Sequence, residues 1–262
     1  TLFERNSGYS GPAVYAEGSV TMTGCTFSDN VAKQSGGAVC AVRDMEIMDC
    51  TFSGNSAKYG GAIYIQWQKT TVYGGSFEGN ETSGNAGAIS VGQSGELCVY
   101  DYHGASTVFS GNSASRYGGA LEIESTAISR VNNAIFKGNS AQWGGAVALY
   151  GPEGKTATTY FNGCTFGGTE EGEGNHATHR GGAMYLEDES YANLVDCSLI
   201  GNHSVNNGGA ICVEGWEKLC VFRSSFIGNY GASGGAIYTD SGTNGNYADL
   251  FIDECSFDAN YI

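Results

Sequence analysis

Residues 50–66 read CTFSGNSAKYGGAIYIQ, and nearly every other segment of the chain is a variation on them. The unit has two parts: Phe52 followed three residues later by Asn55, and Gly-Gly-Ala at residues 60–62 followed by alternating apolar residues. Successive copies of the first part lie 24 to 33 residues apart. Similarity at such a period is typical of stacked repeat architectures.

The first part of the unit predicts two ladders of equivalent side chains. Its well-formed phenylalanines and asparagines are Phe27 and Asn30, Phe52 and Asn55, Phe77 and Asn80, Phe109 and Asn112, Phe136 and Asn139, Asn202 after Leu199, Phe226 and Asn229, and Phe257 and Asn260. Phe166 has no asparagine at this offset. We expect each asparagine to be a turn residue whose amide bonds its neighbours along the stack and which tolerates a left-handed backbone.

The residues around these ladders alternate with period two, which indicates β-strands. Three short strands for each repeat, without any helical period, predict a parallel β-helix of about nine to ten coils, with equivalent residues about 4.8 Å apart. A β-sandwich needs antiparallel hairpins and would not keep one register through ten repeats. We expect one domain over residues 1–262, in which the 42 glycines recur at fixed positions and are therefore structural.

The charge balance excludes two classes of partner. Twelve basic and 27 acidic residues give a net charge of −15, which repels nucleic acid and anionic lipid. No run approaches the roughly 18 apolar residues of a membrane span, so we expect no membrane insertion by this segment. Both ends fall at the same position of the repeat, which favours a segment of a longer protein and predicts end-to-end self-association.

Repeated FxxN followed by GGA and an aliphatic residue, as in FSGNSAKYGGAIY and FKGNSAQWGGAV, resembles the repeat of the chlamydial polymorphic outer membrane protein family. The resemblance covers the whole chain and depends on many alternating copies. It implies a right-handed β-helix in an autotransporter passenger segment that adheres to host cells. Similar repeats also occur in large surface proteins of some eukaryotic microbes, so the resemblance indicates architecture more than biology.

Nine cysteines are many for a reduced cytosolic scaffold and favour an extracellular or cell-surface location. Cys25 and Cys50 share one repeat position on neighbouring coils, as do Cys164 and Cys197, and the stacking distance lies within the range for a disulfide. Cys212 and Cys220 flank one short loop and form the third candidate bridge. The alternative is that these cysteines are small buried apolar residues.

Two acidic features are candidate cation sites. The insertion GGTEEGEGNHATHRGG holds Glu173, His176 and His179, which together offer ligands for a divalent metal. The alternative is a solvated acidic loop, since a loop does not fix the two histidines on one face. Outward-facing carboxylates form a stripe that attracts Ca²⁺ weakly or serves solubility, and no other cofactor is expected. The stripe comprises Glu122, Glu124, Glu187, Glu214 and Asp240.

The strand after Gly-Gly-Ala presents a candidate binding surface. Its outward tyrosines and the tryptophans just beyond are Tyr15, Tyr64, Tyr185, Tyr238, Trp67 and Trp216. Exposed aromatic side chains suit sugar rings or a protein partner. The alternative is that a neighbouring loop or chain covers them.

The predicted function is a non-enzymatic, adhesin-like or structural rod whose partner is a host-cell protein, a neighbouring surface protein or a glycan. The alternatives are a subunit of a head-to-tail fibre and a polysaccharide lyase or hydrolase, because parallel β-helices also host such enzymes. Sugar cleavage needs carboxylates about 5–9 Å apart. Asp49, Asp196 and Asp253 lie near one corner, but on separated coils and with no basic residue expected beside them.

Overall fold

The computed structural model describes residues 1–152, 154–215, 217–240 and 248–262. Within these ranges every regular element is a β-strand, and the strands form four parallel sheets of ten, nine, nine and nine strands. Each strand except the outermost ones pairs with its equivalents one coil before and one coil after it. The predicted parallel β-helix is confirmed, but a coil contains four strands rather than three.

The four sheets follow one another in every coil. Sheet 1 contains the repeat phenylalanines, and its strands are Leu2–Glu4, Thr26–Ser28, Thr51–Ser53, Ser76–Glu78, Val108–Ser110, Ile135–Lys137, Thr165–Gly167, Ser198–Ile200, Ser225–Ile227 and Ser256–Asp258. Sheet 2 follows the asparagines, and its strands are Ser7–Ser10, Val31–Ser35, Ser56–Tyr59, Glu81–Asn85, Ser113–Ala114, Ser140–Trp143, His176–Arg180, His203–Asn207 and Tyr230–Ser233.

The remaining two sheets complete the coil. Sheet 3 follows Gly-Gly-Ala, and its strands are Val14–Ala16, Val39–Ala41, Ile63–Ile65, Ile89–Val91, Leu121–Ile123, Val147–Tyr150, Met184–Glu187, Ile211–Glu214 and Ile237–Asp240. Sheet 4 leads back to sheet 1, and its strands are Val20–Thr23, Met45–Met48, Lys69–Tyr73, Glu96–Tyr100, Ile128–Asn132, Ala157–Asn162, Ser190–Val195, Lys218–Phe222 and Asp249–Asp253.

The strand that each coil contributes to sheet 2 is the one that the period-two pattern did not predict. Its residues are largely polar, as in Ser56–Tyr59, and its pairing shifts register between Ala57 and Tyr59. A β-bulge of this kind inserts a residue and interrupts the alternation of inward and outward side chains. The sequence alone therefore presents this strand as a polar connection.

The core is a column of stacked side chains. In the phenylalanine ladder, the rings of Phe27 and Phe52 lie 4.6 Å apart with planes 3° from parallel, and those of Phe77 and Phe109 lie 4.9 Å apart. Leu199 takes the place of one phenylalanine and pairs with Phe226 in sheet 1. These separations match the spacing between paired strands and confirm the predicted stacking.

The corner between sheets 2 and 3 explains the Gly-Gly-Ala motif. Gly118 has a φ of +63°, and a Cβ atom on it would lie 2.0 Å from the carbonyl oxygen of Leu121. A Cβ atom on Gly119 would lie 2.0 Å from the carbonyl oxygen of Gly145 on the next coil. Both distances are far inside van der Waals contact, so the corner favours glycine at both positions.

The asparagine ladder is continuous and buried. The Asn112 side chain donates to the Phe77 carbonyl at 3.0 Å and to Asn139 Oδ1 at 2.9 Å, and Asn139 Oδ1 also accepts from the Asn112 backbone N–H at 3.0 Å. The predicted bonding along the stack is therefore present. The left-handed residue is the one before the asparagine of the FxxN motif, such as Gly111 with a φ of +61°, and the ladder asparagines themselves do not use the left-handed backbone that they were expected to tolerate.

Candidate functional site

The outer face of the corner between sheets 2 and 3 forms a trough that runs along the rod. One wall carries residues at or just after the ends of the sheet 2 strands, such as Ser35 and Tyr117, and the other carries the outward residues of sheet 3, such as Cys40 and Tyr185. Side chains from the two walls meet, since the rings of Tyr117 and Tyr185 lie 6.2 Å apart. We call this surface the trough.

The middle of the trough is filled by a buried network around Glu122. Its carboxylate accepts hydrogen bonds from the hydroxyls of Ser90 and Tyr150, and Asn85 donates to the Tyr150 oxygen at 3.3 Å. Only 3% of Glu122 is exposed, and burial raises the pKa of its carboxyl group. Because the carboxyl group is enclosed and hydrogen-bonded, it is not accessible to a substrate.

The same arrangement continues on the following coils. The Tyr117 hydroxyl donates to Glu187 at 3.2 Å, and burial raises the tyrosine pKa to about 12. Tyr185 donates to Glu214, which also accepts from Arg180. Tyr185 is only 2% exposed, so the prediction that it forms part of an exposed aromatic surface is wrong. The Tyr117 ring packs against it from the opposite wall.

The trough is open over the first three coils. There, small side chains from sheet 2 leave a groove of about 490 Å³ between tyrosines. Its lining comprises Tyr9, Ser10, Tyr15, Ser35, Cys40, Tyr64 and Gln66. Tyr15 is 51% exposed and Tyr64 is half-buried, so this part of the predicted aromatic surface is accessible.

The other predicted aromatic residues do not line this groove. Trp67 is 52% exposed just beyond its strand, and Tyr238 is half-buried near the other end of sheet 3. Trp216 lies outside the described residues. The sequence did not indicate Tyr9, because it precedes the Gly-Gly-Ala corner and lies on sheet 2.

The three side chains of the insertion that were predicted to bind a metal each contact a different partner. Glu173 forms a salt bridge of 3.1 Å with Lys137, which lowers the pKa of its carboxyl group. The His179 ring packs 5.6 Å from Trp143, whereas His176 Nδ1 lies 3.1 Å from His203 Nδ1. Within the described ranges, no group of three or more histidine, cysteine or acidic side chains is arranged to hold a metal.

The predicted acidic stripe is likewise engaged with protein donors. Glu124 accepts from Gln93 at 2.9 Å, and Glu122, Glu187 and Glu214 take part in the trough network. Four of the five carboxylates of the stripe therefore already accept hydrogen bonds from hydroxyl, amide or guanidinium groups.

All nine cysteines lie in the described part of the chain and are free thiols, so the three expected bridges are not formed in the structure. At the corner between sheets 4 and 1, Cys197 Sγ donates to the Val195 carbonyl at 3.4 Å, and the Cys197 backbone N–H donates to Ser224 Oγ at 3.0 Å. The Cys25 backbone N–H donates to Cys50 Sγ at 3.3 Å in the same way. These thiols therefore have a hydrogen-bonding role of their own.

The aspartates near this corner do have a basic neighbour. Arg223 on the next coil donates from Nε and Nη2 to the Asp196 carboxylate at 2.8 and 2.9 Å, so the expectation that no basic residue accompanies these aspartates is wrong. The pair is exposed, and the arginine lowers the pKa of Asp196. A carboxylate held ionised in this way is a poor general acid.

The comparisons with known proteins agree with this architecture. Residues 8–172 match the family model for a right handed beta helix region, and residues 196–214 and 223–240 match the Chlamydia polymorphic membrane protein repeat. No curated protein and no solved structure matches the chain. None of the described residues forms a helix long and apolar enough to cross a membrane.

The two matches confirm the resemblance inferred from the FxxN and GGA motifs. The repeat is that of a family of chlamydial surface proteins. Because the first model covers more than half of the sequence, the chain belongs to the right-handed β-helix family.

Proposed function

We propose that this chain is the non-enzymatic, adhesin-like rod of an extracellular surface protein, and that the open end of the trough binds a glycan of a host cell or neighbouring surface. The proposal rests on one difference along the trough: its middle is filled and its end is open. Its middle is filled by hydrogen-bonded tyrosines and carboxylates, whereas its first three coils leave a groove of about 490 Å³.

The chemistry of the groove favours an uncharged sugar. Its described lining consists of tyrosines, serines, one cysteine and one glutamine, without a charged side chain, in a protein whose net charge is −15. Tyrosine rings pack against the apolar faces of sugars, and hydroxyl and amide groups bond their hydroxyls. The volume falls within the usual range for small-molecule sites.

The enclosed carboxyl groups support a binding role over catalysis. Glu122 has the raised pKa that is typical of a general acid, but it is shielded by Ser90 and Tyr150. A glycosidase needs two accessible carboxyl groups on either side of the scissile bond. The described lining of the open groove supplies neither of them.

A glycan array tests the proposal, with the wild-type chain compared with Tyr15→Ala and Tyr64→Ala. We expect binding to a set of neutral glycans and at least a tenfold loss of affinity in each variant. Tyr73→Ala is the matched control, because Tyr73 is a half-buried tyrosine on sheet 4. Absence of glycan binding, or equal binding by all variants, would contradict the proposal.

End-to-end association is a second candidate. The outermost strands of the four sheets present backbone groups that can pair with a further coil, either of a continued chain or of a second copy. Sedimentation velocity over a range of concentrations distinguishes these cases, since only a second copy produces association that depends on concentration.

A further inference from the structure

His176 and His203 are paired residues on neighbouring strands of sheet 2. Both are half-buried, and their Nδ1 atoms lie 3.1 Å apart. Their ring centroids are 4.8 Å apart with planes inclined by 47°, whereas the phenylalanine rings of sheet 1 stack nearly parallel at the same spacing. The next pair of the column, His203 and Tyr230, is tilted by a similar 50°, and in the histidine pair this arrangement brings two nitrogen atoms together.

We propose that His176 and His203 form a two-histidine site for a divalent transition metal, with zinc or nickel as the chemical class of ligand. Metal–nitrogen bonds of about 2.0–2.1 Å at angles between square and tetrahedral place two nitrogen ligands about 2.9–3.4 Å apart. The observed 3.1 Å separation lies within this interval. Imidazole nitrogen suits zinc and nickel and does not suit calcium or magnesium.

The neighbours of the pair do not oppose a cation. Ser140 pairs with His176 on one side, and Tyr230 pairs with His203 on the other. The Tyr230 ring lies 4.9 Å from the His203 ring and supports its orientation. Both flanking side chains are uncharged, so a cation between the imidazoles meets no positive charge in this column. Water or a carboxylate of a binding partner completes the coordination.

The site differs from the one expected from the sequence. His176 belongs to both, but His179 packs against Trp143 and Glu173 pairs with Lys137. His203 lies 27 residues further along and is brought to His176 only by the coil. The two variants His203→Gln and His179→Gln therefore separate the two possibilities.

Calorimetric titration with zinc chloride, and separately with nickel chloride, tests the proposal on the whole chain. We expect one equivalent to bind, at least tenfold more weakly in His176→Gln and in His203→Gln. His179→Gln and His103→Gln are matched controls that should keep wild-type affinity, because His103 is an exposed histidine after sheet 4. Circular dichroism of each variant verifies that the fold is retained.

Imidazole nitrogen NMR supplies a second readout that free thiols elsewhere in the chain do not affect. Zinc should shift the Nδ1 resonances of His176 and His203 together. The proposal is overturned if neither metal binds saturably, if His203→Gln binds as tightly as wild type, or if only one of the two Nδ1 resonances responds. A pair of imidazoles joined only by a hydrogen bond would give the first of these results.

Discussion

Asn175 Oδ1 accepts hydrogen bonds from the backbone N–H of Asn139 at 3.1 Å and from its side-chain amide at 2.9 Å, although the two residues are 36 positions apart. Asn175 lies nine residues after Phe166 instead of three, because residues 168–174 leave the coil before the asparagine. The insertion therefore interrupts the motif without interrupting the ladder. Phe166 has no asparagine at the usual offset, yet its coil still contributes one to the ladder.

Deletion of residues 168–173 should be tolerated, because it joins Phe166-Gly167 to Gly174-Asn175 and restores the FxxN spacing. The exposed salt bridge between Glu173 and Lys137 is lost, which costs about 0–1 kcal/mol. We expect the deletion variant to keep a cooperative unfolding transition in guanidinium chloride, with a midpoint near that of the wild type.

The comparison variant is Asn175→Ala in the intact chain. It removes the two bonds accepted from Asn139 and the two that Asn175 Nδ2 donates, to the Phe136 carbonyl and to Asn202 Oδ1. Four buried hydrogen bonds at the usual net value amount to about 2–6 kcal/mol. If the deletion costs as much as the alanine variant, the loop rather than the ladder stabilises this coil.

Much of the fold could be predicted because the period fixes which residues stack. Phe52 over Phe77 follows directly from the repeat, and their rings lie 4.8 Å apart. Asn175 could not be recognised by spacing alone, since an insertion moves a ladder residue away from its usual offset. The strand Ser56–Tyr59 was missed because its register shift removes the alternation on which strand prediction depends.

Replacement of Ala86 by glycine should stabilise the protein by about 0.5–1 kcal/mol. Ala86 occupies the first glycine position of the corner between sheets 2 and 3 and has a φ of +61°, where a side chain is strained. The matched control Gly118→Ala introduces a Cβ atom at the equivalent position and should cost more than about 1 kcal/mol. Thermal unfolding shows whether Ala86→Gly is more stable and Gly118→Ala less stable than the wild type. A destabilised Ala86→Gly would contradict the account of this corner.

The candidate site was less predictable than the fold. Alternation correctly placed Tyr64 and Tyr185 on the outward side of sheet 3, but it carried no information about what covers them. Tyr185 is buried, and Tyr117, which lies 68 positions earlier in the sequence, packs against its ring. At the open end the sheet 2 strands supply the small side chains of Ser10 and Ser35, whereas further along the corner supplies Tyr117 and Arg180.

Replacement of Cys197 by serine should change stability by less than about 1 kcal/mol. Ser224 occupies the same corner position on the next coil and donates to the Phe222 carbonyl at 2.8 Å, so a hydroxyl fits the role of the thiol. Cys197→Val removes the donor and should cost about 1–3 kcal/mol. Chemical denaturation of the purified protein gives both values.

The same variant tests the predicted bridge between Cys164 and Cys197. Were it formed in the oxidised protein, Cys197→Ser would cost about 2–5 kcal/mol, and alkylation of the unfolded wild type would find two fewer thiols than the nine cysteines. A large cost in Cys197→Ser without missing thiols would instead contradict the hydrogen-bonding role of this corner.

Glu217 should make stability fall as the pH rises from about 4.5 to about 7. Its side chain is 2% exposed, its Oε2 atom has no hydrogen-bond partner within the described residues, and burial raises the carboxyl pKa from 4.5 to about 7. Because the folded pKa is the higher one, the contribution is full below pH 4.5 and is lost as the pH passes through 7.

Glu217→Gln should flatten this part of the melting temperature profile and melt a few degrees above the wild type at pH 8. Glu173→Gln is the control of opposite sign, since Lys137 lowers the pKa of Glu173 and its contribution is lost as the pH falls. Parallel profiles for wild type and Glu217→Gln would mean that the carboxyl group is hydrated rather than enclosed.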